Sequence, residues 1–282
     1  MRARIWGCRG SIATPGPGTL RYGGNTSCVE LRTRERTLIV LDAGTGIRLL
    51  GAKLEAEPPA TIHLLLTHLH LDHLEGLPFF APLWSEDTEL HVWGPPSPVR
   101  SLEDRIARYI SPPLFPRRLA DVPARLSFHD VPKEEWMIGG ARILAHPVTH
   151  PGPTVGYRLT EDGRSLAYIP DHEPALGLND LAAMPPEWLS GHAVATDVDI
   201  LLHDAQYSAE EYPARVGWGH STVDHAVTFG LSAGARHLVL FHHDPLHRDS
   251  DLEALLVSAA QRWGDGGTPP ALAREGLTFE LD

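Results

Sequence analysis
Cysteine is nearly absent: Cys8 and Cys28 are the only two, and they form no C-x-x-C pair. This weighs against a disulfide-stapled secreted fold or a thiolate zinc module, and two reduced, buried thiols are expected. No stretch approaches the ~18 uninterrupted apolar residues of a membrane span. The opening MRARIWGCRGSIATPG lacks the apolar core of a secretory signal, so a soluble, cytoplasmic protein is expected. Lysine occurs only at Lys53 and Lys133, asparagine at Asn25 and Asn179, and glutamine at Gln206 and Gln261. Few amides alongside 25 prolines fit a thermophile, although a GC-rich genome would produce a similar preference for arginine over lysine. Positive charge is also in deficit. With 24 Lys+Arg against 36 Asp+Glu, the net charge of -12 repels a polyanion unless a local patch reverses the field. A long nucleic acid is therefore not the expected substrate.

What is present is enough apolar material for a sizeable core, at 42% hydrophobic residues, with no internal repeat or low-complexity linker. β-rich runs lie at 2–6, 27–32, 37–41, 61–66, 89–92, 125–129, 142–145, 155–159, 165–169, 200–203 and 237–241. Helical patterns lie at 47–55, 74–83, 99–109, 223–233 and 251–263. The proline-rich segment 111–123 reads as an irregular loop, suited to a lid or a dimer contact. Strand-rich halves with helices outside predict two sheets packed together and covered by helices, in one domain spanning 1–282.

Histidine is abundant, at 17 residues, and its spacing carries the chemistry. His68-Leu69-His70-Leu71-Asp72-His73 follows the buried run TIHLLLT and precedes a predicted helix. Strand alternation lets His68 and His70 point the same way, and the turn lets Asp72 and His73 face a neighbouring point. Imidazole and carboxylate together suit zinc, manganese or iron.

HLHLDH resembles the H-x-H-x-D-H signature of the metallo-β-lactamase superfamily. The segments GCRGS, YGGNTS and DAGTG look like its ribonuclease Z-like and cyclic-phosphodiesterase-like bacterial branch, with likeness running from about Ile5 to Asp249. That resemblance implies an αββα sandwich with two divalent cations, zinc by default. It implies that His68, His70 and His150 hold one ion, Asp72, His73 and His242 the other, and that Asp171 bridges them. His146 rivals His150, His243 rivals His242, and His172 is expected as an exposed neighbour of Asp171. Asp42-Ala43-Gly44 belongs to the family pattern and reads equally well as a plain strand-to-helix turn.

LHDAQ and GWGHST resemble the acidic and histidine motifs of ribonuclease Z, although the family more often has Glu where Asp204 stands. They imply a dyad in which Asp204 orients His220 toward the substrate. The competing reading makes Ser221 or Thr222 a helix cap and His220 incidental. The implied chemistry is attack of a bridging hydroxide on a small phosphodiester, cyclic ones included, with His220 stabilising the oxyanion or protonating the leaving group. No protruding basic arm for transfer RNA is visible; the 111–118 segment offers only Arg117 and Arg118. A carbon-ester hydrolase of lactonase or thioesterase type is the rival enzyme, since the same centre serves both. A non-catalytic sensor of the same fold is the rival of another class, and lost ligands would be its mark. Homodimers are common in this branch, so a homodimer is the expected assembly.

Overall fold
The computed structural model describes residues 1–178, 180–264 and 267–281. The first sheet contains β1 (Arg2–Gly7), β2 (Cys28–Arg32), β3 (Leu38–Leu41), β4 (Thr61–Leu65), β5 (Glu89–Gly94) and β6 (Arg125–Asp130). The second contains β7 (Trp136–Ile138), β8 (Ala141–Pro147), β9 (Val155–Glu161), β10 (Arg164–Ile169), β11 (Ile200–Asp204), β12 (Leu238–Phe241) and β13 (Ala271–Leu272). A last strand, β14 (Thr278–Glu280), returns to the first sheet beside β1. The spatial orders are 14-1-2-3-4-5-6 and 13-12-11-10-9-8-7. Each sheet has a parallel half, β3 to β6 in one and β10 to β13 in the other. The helices are α1 (Gly46–Leu54), α2 (Leu102–Ala107), α3 (His192–Ala195), α4 (Val223–Ser232) and α5 (Asp249–Trp263).

The strand sequences explain the layering. In β3 and β4, Leu38, Val40, Ile62 and Leu64 face α1, where Ile47, Leu50 and Leu54 form the apolar stripe. Ile39, Leu41 and Leu65 point the other way, against Tyr157, Leu159, Tyr168 and Phe241 of the second sheet. Strands buried on both faces read as continuous apolar runs rather than alternating ones. Leu201 and Leu240 on the outer face of the second sheet meet Val227, Phe229 and Trp263 of α4 and α5. The result is an αββα sandwich, as the sequence predicts. Among the described residues no helix is long and apolar enough to cross a membrane, and Cys8 and Cys28 are buried, unpaired thiols.

Two predicted helices change form. Residues 74–83 fold as two short 3-10 turns, Leu77–Phe79 and Ala81–Trp84, because Pro78 and Pro82 sit near their starts and supply no N–H to a continuing helix. The helix predicted over 99–109 is confined to α2, which begins after Ser101, whose hydroxyl accepts from Asp104 N at 3.1 Å. The short strands β7, β13 and β14 and the four-residue α3 are too brief to leave a periodic signal.

Candidate metal centre and its supporting shell
Loops after the parallel strands β4, β10 and β12 and after the antiparallel β8 converge on one point. After β4 come His68, His70, Asp72 and His73; after β8, His150; after β10, Asp171; after β12, His242. His68, His70 and His150 each offer a donor atom within 4.8 Å of the others, and so do Asp72, His73, Asp171 and His242. Asp171 stands between the groups. Its Oδ2 lies 3.7 Å from both His68 Nε2 and His150 Nε2, while its Oδ1 lies 2.9 Å from His73 Nε2 and 3.4 Å from His242 Nε2. Asp72 Oδ2 closes the second group at 3.3 Å from His73 Nε2 and 3.1 Å from His242 Nε2. His70 Nδ1 lies 3.1 Å from His150 Nε2.

The donor set fits divalent cations. His68 Nε2 is buried with no hydrogen-bond partner, although it faces the cluster. A buried nitrogen left unpaired is costly unless its lone pair has another use. Burial opposes charge on the two carboxylates, but the surrounding imidazoles hold Asp72 and Asp171 well below the usual range. Burial likewise opposes a proton on His73, yet Asp171, Asp72 and Asp42 hold its pKa well above the ordinary value. This cluster of negative charge calls for cations.

In four of the five histidines, the ring nitrogen turned away from the cluster is anchored, which fixes the tautomer and aim. His68 Nδ1 meets Thr67 Oγ1 at 3.0 Å, and His150 Nδ1 donates to Gly219 O at 2.8 Å. His242 Nδ1 donates to Gln206 Oε1 at 2.9 Å, and His73 Nδ1 donates to Asp42 Oδ2 at 2.8 Å. Asp42 and His242 each take a left-handed conformation directly after a strand, with φ of 59° and 58°. Such a conformation is unfavourable for these residues and persists only where surroundings enforce it. For Asp42 the enforcement is visible: its buried carboxylate also accepts from Thr67 N at 2.7 Å and from the Tyr168 hydroxyl at 2.9 Å. Of the two readings of Asp42-Ala43-Gly44, the structure shows more than a turn.

His220 lies beside the cluster, with Nδ1 2.8 Å from Asp204 Oδ2 and 3.8 Å from Asp171 Oδ2. The Asp204 side chain reaches despite being shorter than the family's usual Glu. Its Oδ2 also accepts from His172 N at 2.9 Å, and its Oδ1 from Gln206 N at 3.0 Å. Burial opposes protonation of His220, but Asp204 chiefly overrides it and lifts the pKa to about 9. Nearby cations would draw that value down. The cap is present too: Thr222 Oγ1 accepts from His225 N at 3.0 Å and starts α4. Cap and dyad are adjacent devices, not alternatives.

Neither rival histidine joins the cluster. His146 is exposed at the end of β8, and His243 points away, donating through Nε2 to Ala273 O at 2.9 Å. His172 is a correction: it is fully buried rather than exposed, because its ring packs edge-on to Phe229 and its Nδ1 lies 2.9 Å from His203 Nε2.

Three supporting residues escaped sequence reasoning. Gln206 orients His242, and Ser11 N donates to Asp72 Oδ2 at 2.7 Å. Glu173 is fully buried and accepts from Gly217 N at 2.8 Å, Gly219 N at 2.7 Å and the Tyr212 hydroxyl at 2.8 Å. It therefore pins the loop that leads into His220 and whose Gly219 carbonyl anchors His150. Gly219 itself sits at φ 91°, and a Cβ there would lie 2.4 Å from His150 Nδ1, so only glycine fits. The one sequence signal for Glu173 was a charged residue two positions beyond a predicted ligand.

A family model described as a beta-lactamase superfamily domain matches residues 37–243. The chain is 27% identical over 258 residues to a protein named ribonuclease Z from Myxococcus xanthus, covering 77% of this chain and 80% of that one. Among solved structures, the metallo-beta-lactamase fold protein YhfI from Bacillus subtilis superposes with a TM-score of 0.69 at 16% identity, covering 99% of each chain. A diphosphatase of the PhnP family superposes with a TM-score of 0.68 at 19% identity, covering 100% of this chain and 98% of that one.

Proposed function
The chain belongs to the metallo-β-lactamase superfamily, a metal-dependent hydrolase fold, and from that premise we propose that it hydrolyses small phosphodiesters with two divalent cations, zinc by default. The observation that carries the two-ion reading is the split of Asp171: one oxygen faces His68 and His150, the other His73 and His242. A carboxylate so placed touches both poles and offsets repulsion between cations. When bound, the ions supply Lewis-acid activation of water and of the phosphoryl oxygens. His68, His70 and His150 would hold one, and Asp72, His73 and His242 the other.

The remaining work falls to side chains. His220 places an acidic proton beside the cluster, and Asp204 holds its ring in one tautomer, so that the leaving oxygen departs as an alcohol. What favours a phosphodiester over a carbon ester is the likeness of the segments carrying this dyad, LHDAQ and GWGHST, to the motifs of ribonuclease Z, since a general acid would serve either leaving group. The loop carrying it is fixed by Glu173, which keeps the donor in place without taking part itself.

The relatives named ribonuclease Z favour a second reading, cleavage of an RNA. The net charge of -12 opposes it. The deciding experiment is elemental analysis of the purified protein, followed by turnover of bis(p-nitrophenyl) phosphate, p-nitrophenyl acetate, an acyl thioester, a lactone and a precursor transfer RNA. Turnover of the diester well above the carbon esters and the RNA supports the proposal. Preference for the RNA replaces the small substrate with a polymer. Preference for a carbon ester replaces the reaction class, and metal-loaded protein inert to all of them points to a sensor.

A further inference from the structure
The segment from Arg100 to Arg118 carries five arginines against two acids, in a chain whose overall charge is -12. Two of these arginines, Arg105 and Arg108, line a cleft shared with the metal-binding loop. A cleft of ≈ 390 Å³ is lined on one side by Leu69 and Leu71 and on the other by Arg105, Arg108, Tyr109 and Leu114. Leu69 and Leu71 alternate with His68, His70 and Asp72 along one loop, so the cleft opens one residue away from the metal-facing side chains. His70 is itself exposed at this edge.

The lining residues are not equivalent. Arg105 is engaged, donating to Pro95 O at 2.7 Å, and the Tyr109 hydroxyl donates to Glu75 O at 3.0 Å. Arg108 is exposed, and its guanidinium has no partner among the described residues. Leu71 and Leu114 are 60% and 70% exposed, two large apolar side chains facing solvent across the same cleft. The wall is braced from behind, where Phe115 meets Phe79 edge-on at 6.0 Å and Trp84 at 6.2 Å. A free guanidinium at the end of an apolar cleft suits a phosphate carried on a ring, because arginine offers planar paired donors and the leucines cover the ring.

Resting on the phosphodiesterase reading, we infer that this cleft is a subsite for a second phosphate, so that the preferred substrate is a small phosphodiester whose nucleoside-like alcohol is itself phosphorylated. The scissile phosphate lies at the metal centre, the ring lies across Leu71 and Leu114, and the second phosphate meets Arg108.

The probes are thymidine 5′-(p-nitrophenyl phosphate) and the same compound carrying a 3′-phosphate. Steady-state kcat/KM is measured for both on metal-loaded wild type, on Arg108→Glu, and on Arg142→Glu as a control on a distant strand. Wild type is expected to prefer the 3′-phosphorylated probe. In Arg108→Glu that preference falls by about tenfold or more, the scale of one charged hydrogen-bonded contact, mainly through KM. Arg142→Glu keeps the wild-type ratio. Inhibition by thymidine 3′,5′-bisphosphate should weaken in Arg108→Glu more than inhibition by thymidine 5′-monophosphate. Equal ratios in wild type and Arg108→Glu overturn the subsite while leaving the phosphodiesterase reading intact. Absence of turnover on both probes and on bis(p-nitrophenyl) phosphate overturns that reading and the subsite with it. An RNA oligonucleotide cleaved with the same Arg108 dependence, without preference for the phosphorylated nucleoside, overturns the small substrate in favour of a polymer.

Discussion

Two clusters of histidine occupy this molecule, and only one is built for metal. At the first, buried carboxylates stand between the imidazoles, and Asp171 alone lies within 4 Å of five of them, His68, His73, His150, His220 and His242. The second runs across β4, β5 and β6. There His63 and His91 stack at 4.9 Å with planes 13° apart, and His91 Nδ1 lies 3.0 Å from His129 Nε2. His129 also stacks on Trp93 at 4.2 Å. Among the described residues the only carboxylate paired with this cluster is Glu89, 3.3 Å from His91 Nε2 and partly exposed. The protonation of the two clusters diverges accordingly. Carboxylates raise the pKa of His73 in spite of burial, whereas burial, reinforced by His91 and His129, lowers that of His63 to about 4. Histidine density alone does not make a metal site; interleaved negative charge and anchored outer nitrogens do.

The largest expected effect separates the clusters by metal content. Asp171→Ala should lose at least one of about two equivalents of metal, together with nearly all activity, because it removes the shared contact. His150→Ala should lose less, and His91→Ala should retain the wild-type content. Inductively coupled plasma analysis of the three variants decides this, and full retention by Asp171→Ala would show that the residue does not bridge.

Next in size is His220→Ala, which should keep the metals and lower kcat by about 10²-fold or more on a diester with a poor leaving group. The loss should shrink with a nitrophenolate leaving group, and Asp204→Asn should follow in the same direction with a smaller drop. Unchanged kcat on the poor leaving group reduces His220 to a packing residue, and lost metal makes it a ligand. Asp42→Asn should cost about 10–100-fold in metal affinity or activity, since it weakens the anchor of His73 while leaving every ligand in place. A chelator competition titration reads the affinity directly, and an unchanged midpoint would make Asp42 a turn residue after all.

The smallest effect belongs to the second cluster. The folded-state pKa of His63, about 4, lies below the ordinary 6.5, so the unfolded chain binds more protons between those values. Stability should therefore fall as pH drops from about 6.5 toward about 4, and His63→Gln should remove part of that loss. Urea unfolding at pH 7 and pH 5 tests it; an equal pH dependence in variant and wild type would be the contrary result.

The αββα layering was legible because strands buried on both faces and amphipathic helices leave opposite periodicities, as in Leu38–Leu41 and Ile47–Leu54. The HLHLDH loop was legible because its six residues are contiguous. Its partners at 150, 171 and 242 became visible through their position after predicted strands, together with the family pattern. The supporting contacts were not legible for a physical reason. Asp42 stood out in the sequence, but its reach to His73 across 31 positions did not, and Gln206 reaches His242 across 36. Such contacts exist only once the sheets have aligned. Glu173 acts on backbone N–H groups, which every non-proline residue possesses, so no side-chain pattern marks its targets. Over 74–83 the apolar spacing matches a helix, but Pro78 and Pro82 interrupt it and leave two 3-10 turns.

Asp171, His172 and Glu173 are consecutive residues at the mouth of β10. Through them one short peptide contacts the metal-facing imidazoles, supplies an amide to Asp204 and ties down the loop before His220. At the other end of that strand lies a two-residue hairpin, Asp162-Gly163, both with positive φ, where β9 turns into β10. For anyone diversifying this protein, the two ends of β10 are unlike targets. The hairpin can accept extra residues that loop outward, while one residue added or removed within 164–170 would advance or retard all three contacts together. Insertion libraries should therefore yield active clones at the hairpin and almost none along the strand.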